Sequence, residues 1–125
     1  MSNNQEGQSL EKLRSRIDGL DSELLKLLNE RAKCVIKNQE GQSLKELRSR
    51  IDELDSELLK LLNERAKCVI NIGKIKQKEK KDVLVPLREK ELLDRLLTVN
   101  KGPMKDAMVI YLFQQIIDTL KDLQK

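Results

Sequence analysis

Residues 4–36 and 38–70 are one sequence written twice: at an offset of 34 they differ only at Glu11/Lys45, Lys12/Glu46 and Gly19/Glu53. Any fold for this chain must accommodate two successive copies of the same segment. Near-identity over such a length points to a recent or an engineered duplication. A 34-residue period is shared with tetratricopeptide arrays, but there each repeat is a helix–turn–helix, and each copy here reads as one long helix.

The helix reading rests on spacing. Leu44, Leu47, Ile51, Leu54, Leu58 and Leu61 alternate steps of three and four, and the stripe resumes at Cys68, Ile72 and Ile75. That is an a/d seam, the pattern of a helix packed lengthwise on another helix. Ser43 followed by Glu46 has the form of a capping box, so a helix is expected over 44–80, about 55 Å long at 1.5 Å per residue. The first copy repeats the seam at Leu10, Leu13, Ile17, Leu20, Leu24 and Leu27, giving a helix over 8–36. The polar stretch 37–43 contains Gly41, and so short a link between long helices favours an antiparallel hairpin. Gly19 stands where the second copy has Glu53 and weakens the first helix by about 1 kcal/mol or less.

A second type of helix follows. Val83-Leu84-Val85-Pro86 leads into 86–99, with proline in a tolerated first-turn position. Asn100-Lys101-Gly102-Pro103 stops that helix and begins a last one over 103–124, with Ile110, Phe113, Ile117 and Leu120 on one face and Glu89, Leu92, Leu96 and Val99 sharing a face of the helix before it. The fold class is all-α: a single domain of 125 residues in which a long helix hairpin carries two further helices.

Composition removes several functions. There is no histidine, which excludes imidazole acid–base chemistry and histidine-ligated metals, and no cofactor or metal motif is visible. The basic cluster Lys74, Lys76, Lys78, Lys80 and Lys81 reads as a solvated helix end. A nucleic-acid surface would want a broader stripe with stacking aromatics, and the chain has one Tyr, one Phe and no Trp. Cys34 and Cys68 occupy the same place in the two copies and read as small apolar residues of a reduced, cytoplasmic protein. No stretch has the length and apolarity of a membrane span or the form of a signal peptide.

The informative positions are polar residues inside apolar stripes. Arg65 occupies a seam position between Leu61 and Cys68; Glu89 shares the face of Leu92 and Leu96; Gln124 continues the face of Phe113 and Ile117. Buried charges are costly unless paired or facing a ligand, so a buried salt bridge or a fraying end competes with a binding site at each position. Three such breaks on three helices favour a polar pocket. With Arg48, Lys76 and Arg88 added it is cationic, and a small dicarboxylate is the expected ligand because guanidinium groups bind carboxylates bidentately.

These residues, in order, resemble the all-helical AroQ-class chorismate mutases. The run Leu47-Arg48, Ile51-Asp52, Leu54-Asp55, Leu58-Leu59, Leu61-Leu62, Asn63-Glu64-Arg65-Ala66 and Ile72-Gly73-Lys74-Ile75-Lys76 is similar to that family's first helix. Val85-Pro86-Leu87-Arg88-Glu89 resembles the start of its second helix, and Asn100 to Pro103 with Phe113 to Gln124 its loop and third helix. The resemblance covers about 44–124, with 10–36 as another copy of helix one. It implies the cofactor-free rearrangement of chorismate to prephenate. Arg65 and an arginine of a Leu-Arg pair, Arg14 or Arg48, would clamp carboxylates. Lys76 and Gln124 would reach the ether oxygen, Arg88 would hold the substrate, and Glu89 would bind its hydroxyl. The chain departs from the family pattern at Leu120, where a small or hydroxyl residue is frequent, and at Val85, where some members carry Asp; either change could lower activity.

The resemblance also implies an intertwined dimer whose first helices pair antiparallel, each site borrowing the Leu-Arg arginine of the partner. With the hairpin turn near Glu40, Arg14 falls opposite about residue 66, beside Arg65. The first copy would then supply that arginine in cis, in a monomer. The alternative keeps a swapped or intertwined homodimer in which Arg48 serves the partner's site. A helical scaffold without chemistry is the competing function, and a coiled-coil adaptor a more distant one.

Overall fold

The computed structural model describes residues 9–36, 41–79 and 86–124. Four helices are present in this order: α1 (Leu10–Val35), α2 (Leu44–Glu79), α3 (Pro86–Val99) and α4 (Asp106–Lys121), followed by a 3-10 turn, Asp122–Gln124. Among the described residues there is no strand, as expected for an all-α bundle. Parts of the predicted link (37–40), Val85 and the lysines at 80 and 81 lie outside the described residues.

The capping signals act locally as the sequence suggests, and they differ between copies. The Ser43 N–H donates to Glu46 Oε1 at 2.9 Å while the Glu46 N–H donates to Ser43 Oγ at 3.1 Å, a complete capping box. In the first copy the Lys12 N–H donates to Ser9 Oγ at 3.1 Å, but Lys12 carries no acceptor to return the bond. Swapping the order of one Glu and one Lys therefore removes half the motif.

α1 and α2 pack antiparallel along their length and the ion pairs fix the register. Arg16 meets Glu64 and Arg50 meets Glu30, at 2.7 and 2.6 Å. Arg65 meets Asp21 and Arg31 meets Asp55, at 2.7 and 2.6 Å. In each case the second pair is the first with the copies exchanged, so the hairpin has an approximate internal two-fold. α3 and α4 cover only one part of it. Leu13, Ile17, Leu20, Leu24, Leu58, Cys68, Val69, Ile72, Leu92, Leu96, Val109, Phe113 and Ile117 form a single core there. Burying such side chains contributes about 1.5–3 kcal/mol each. Both cysteines are free; Cys68 is buried, which pushes its thiol pKa up.

Three expectations are corrected. The last helix begins at Asp106 and not near 103, because Gly102 adopts φ +76° and the Met104 N–H is taken by Asn29 Oδ1 at 2.8 Å. The face of α4 that enters the core is Val109, Phe113 and Ile117, leaving Ile110 exposed; residues four apart on this short helix stack on one line toward α1–α3. At the two ends of the seams Leu44 and Val99 are exposed, since Leu44 lies where α1 has already ended and Val99 closes α3.

Candidate active site

Asn29 is what brings α3 and α4 to their place. Its Nδ2 donates to Asn100 Oδ1 at 2.9 Å and its Oδ1 accepts from the Met104 backbone, so one buried amide of α1 holds both sides of the α3–α4 loop. Asn100 Oδ1 also accepts from the Gly102 N–H, and its Nδ2 donates to the Met104 carbonyl and Asp106 Oδ1. α3 grips α1 through two arginines. Arg88 Nη2 donates to Asp18 Oδ1 at 2.8 Å and to the Arg14 carbonyl at 3.2 Å. Arg95, two turns further, donates to the Asp18 carbonyl and to Ser22 Oγ, both at 3.0 Å.

These contacts enclose a cavity of about 80 Å³ between the helices, lined by Arg14, Arg65, Lys76, Arg88, Glu89, Lys121 and Gln124 over an apolar floor of Ile17, Val69, Ile72, Leu92 and Ile117. Its space suits several waters or a small polar ligand. Residues from α1, α2, α3, α4 and the final turn meet there. The structure thus brings together Arg14, Arg65, Lys76, Arg88, Glu89 and Gln124, all taken from the sequence as candidate site residues. It does not bring Arg48 to them. Arg48 is exposed at the other end of the hairpin, in a shallow surface with Leu44, Lys45, Ser49 and Asp52. The physical reason is that α2 runs antiparallel to α1, so the two Leu-Arg pairs lie at opposite ends and only that of α1 faces Arg65.

Arg65 and Lys76 are 4% and 3% exposed. Arg65 Nε and Nη2 donate to the two oxygens of Asp21 at 2.7 and 3.2 Å. Burial pushes the Asp21 carboxyl above its ordinary range, with the Arg65 bond and charge acting against that rise. Glu89 Oε2 pairs with Lys121 Nζ at 2.8 Å, and that hydrogen bond raises the lysine's pKa. Gln124 Oε1 is buried and has no hydrogen-bond partner among the described residues. Such an orphan is expensive unless a ligand or water satisfies it.

Gly73 sets how closely the final turn can approach α2. A Cβ built on it would lie 2.5 Å from the Gln124 carbonyl oxygen and 2.7 Å from its Cα. Only a residue without a side chain lets the Gln124 backbone rest against the helix.

Sequence reasoning missed Asp18, Asp21, Asn29 and Lys121. The two aspartates carry no signal of their own, since their copies Asp52 and Asp55 have nearly the same neighbours in sequence and are exposed. Lys121 lies one turn before Gln124, on a face read as apolar. Leu120 is partly buried against the core and does not line the cavity.

The fold and cavity define a class of protein: a helical bundle with an interior site lined mainly by cationic side chains. Residues 47–125 match the model of the family described as chorismate mutase type II. The bifunctional chorismate mutase/prephenate dehydratase of Aquifex aeolicus (strain VF5) is 40% identical over 122 residues, which take in 94% of this chain and 24% of that protein. The chain therefore spans about a quarter of the length of this curated relative. It belongs to the chorismate mutase type II family.

Proposed function

We propose that the chain is a chorismate mutase, an isomerase that converts chorismate to prephenate in a site assembled within one chain. One observation carries the reading: residues from four separate segments, singled out as polar breaks in apolar stripes or carried over from the family resemblance, line one cavity. Asp21 and Asp18 balance Arg65 and Arg88 from behind, and a dianionic ligand would offset the repulsion among the four cations, Arg14, Arg65, Lys76 and Arg88, that share the space.

The reaction breaks an ether C–O bond and forms a C–C bond within one molecule, so nothing is transferred to the protein. The side chains need only hold the reactive conformer and stabilise the negative charge that develops on the ether oxygen. Arg14 and Arg65 hold the carboxylates, with Arg88 beside them. The Lys76 ammonium and the Gln124 amide donate to the ether oxygen. The amide end without a partner supports that role, because either end of the group can turn toward a ligand. Glu89, held by Lys121, accepts from the substrate hydroxyl. α1 acts as a second copy of the family's first helix, by duplication or design, and lends Arg14 in cis, so the working unit is a monomer. Two free cysteines fit a reducing, cytoplasmic setting.

The test is loss of chorismate absorbance, with prephenate measured as product. Activity above the uncatalysed rate that disappears in Lys76→Ala supports the proposal. No loss of chorismate would leave a helical scaffold that kept the fold. If activity survives Arg14→Ala but not Arg48→Ala, the site is not formed in cis. A dimer mass by light scattering would favour the intertwined arrangement.

A further inference from the structure

We propose that Asp18 and Asp21, one turn apart on α1, are positioning residues for the site: Asp21 sets the orientation of Arg65 and Asp18 that of Arg88. This rests on the mutase reading above, in which those two arginines meet the substrate.

A guanidinium group has five N–H donors in a rigid fork. Asp21 takes the Nε–H and one Nη2–H of Arg65, at 2.7 and 3.2 Å, from a position with no solvent exposure. That leaves the Nη1 edge for the cavity Arg65 lines. A long arginine side chain would otherwise sample several rotamers, and Arg14, Lys76 and Arg88 line the same cavity and would repel it. A buried carboxylate fixed behind the guanidinium removes both problems. Arg88 is held in the same manner, by Asp18 Oδ1 at 2.8 Å and the Arg14 carbonyl at 3.2 Å. Asp18 lies 3.6 Å from Arg95 as well, so it is itself fixed on the α3 side.

The placement explains why α1 is needed beyond lending Arg14. One face of it carries Arg14, Asp18 and Asp21 at helical spacing: one cation for the ligand, and two anions that each hold a cation of another helix. The repeat supplies matched controls, since Asp52 and Asp55 are the same residues in the other copy. Asp55 pairs with Arg31 in the open and Asp52 lies on the exposed surface.

The experiment compares Asp21→Asn, Asp18→Asn, Asp52→Asn and Asp55→Asn in the full chain. It reads kcat and KM for chorismate at a temperature where circular dichroism shows each variant folded. Asp21→Asn is expected to lower kcat/KM on the order of 100-fold, the scale of a misplaced binding group, with KM rising. Asp18→Asn should do the same to a smaller extent, and the two controls should match the starting protein. Wild-type kcat and KM in Asp21→Asn would overturn the proposal. If that variant does not fold, Asp18→Asn decides: unchanged KM overturns it. A second readout is independent of catalysis. The Arg65 Nε–H should give a slowly exchanging NMR signal that is lost in Asp21→Asn. Retention of that slow exchange would sink the proposal, while an inactive starting protein with the signal present would sink the mutase reading alone.

Discussion

The two ends of the hairpin carry the same side chains in opposite circumstances. At the covered end Arg65 and Asp21 are 4% and 0% exposed; at the open end their counterparts Arg31 and Asp55 are 39% and 46% exposed, in the same geometry. Asn29 is buried and holds a loop, whereas Asn63 is exposed. Arg14 lines a cavity and Arg48 a shallow surface. The local sequence is almost identical, so the difference comes from α3, α4 and the final turn, which pack over one end. A motif becomes a site here only where other helices exclude water from it. In water the same charges are screened and contribute little.

The most direct way to break that comparison is to remove equivalent arginines. Arg65→Ala leaves a buried carboxylate without its partner and should cost about 3–5 kcal/mol of stability. Arg31→Ala should leave the urea midpoint almost unmoved. Equal losses in the two variants, by urea unfolding, would mean that burial is not what separates the ends.

Next in size is the approach of the final turn. Gly73→Ala puts a Cβ against the Gln124 backbone, so the turn must move away from α2. Overpacking of this type costs about 1–3 kcal/mol, and displacing Gln124 should lower kcat more than it raises KM. Steady-state kinetics with chorismate check this; an unchanged kcat would show that Gln124 does not act at the reacting bond.

Much of this was legible in the chain itself. The seam at Leu13, Ile17, Leu20 and Leu24, the Ser43–Glu46 cap and the hairpin register are properties of near neighbours, and the structure has them. Asn29 could not be read as a buried anchor, because its partners Asn100 and Met104 lie more than 70 residues away and its copy Asn63 is solvated. The start of α4 was also hidden. Pro103 fits a first helical turn, but the bond from Met104 to Asn29 holds that segment outside the helix. The site was legible as a set of inward polar residues, while the carboxylates behind the arginines were not, since a surface aspartate and a buried one look alike in sequence.

The twin carboxylates sharpen the comparison through pH. Burial raises the Asp21 pKa and the hydrogen bond from Arg31 lowers that of Asp55. For Asp21 the folded value lies above the unfolded one, so its contribution to stability is full below the unfolded value and is lost as pH rises through the folded one. For Asp55 the order is reversed: its contribution is present above the unfolded value and is lost as pH falls through the folded one. Carboxyl NMR titration should therefore find Asp21 above, and Asp55 below, the ordinary aspartate value of about 3.9. Coincident titrations would contradict the difference in environment.

The smallest effect tests the Gly19/Glu53 difference between the copies, beyond the first turn of each helix. Gly19 is exposed, and a Cβ there would meet nothing within 4 Å. Gly19→Ala should stabilise α1 by about 0.5–1 kcal/mol, since glycine gives up more backbone freedom on becoming helical than alanine does. Glu53→Gly in α2 should act in the opposite direction and also remove the contact with Arg50 at 3.5 Å. Opposite shifts of the urea midpoint, with kcat/KM unchanged in both, would show that helix propensity and site assembly are separate properties of the repeat. A loss of activity in Gly19→Ala would instead mean that α1 must yield locally, between Asp18 and Asp21, for the ligand to enter.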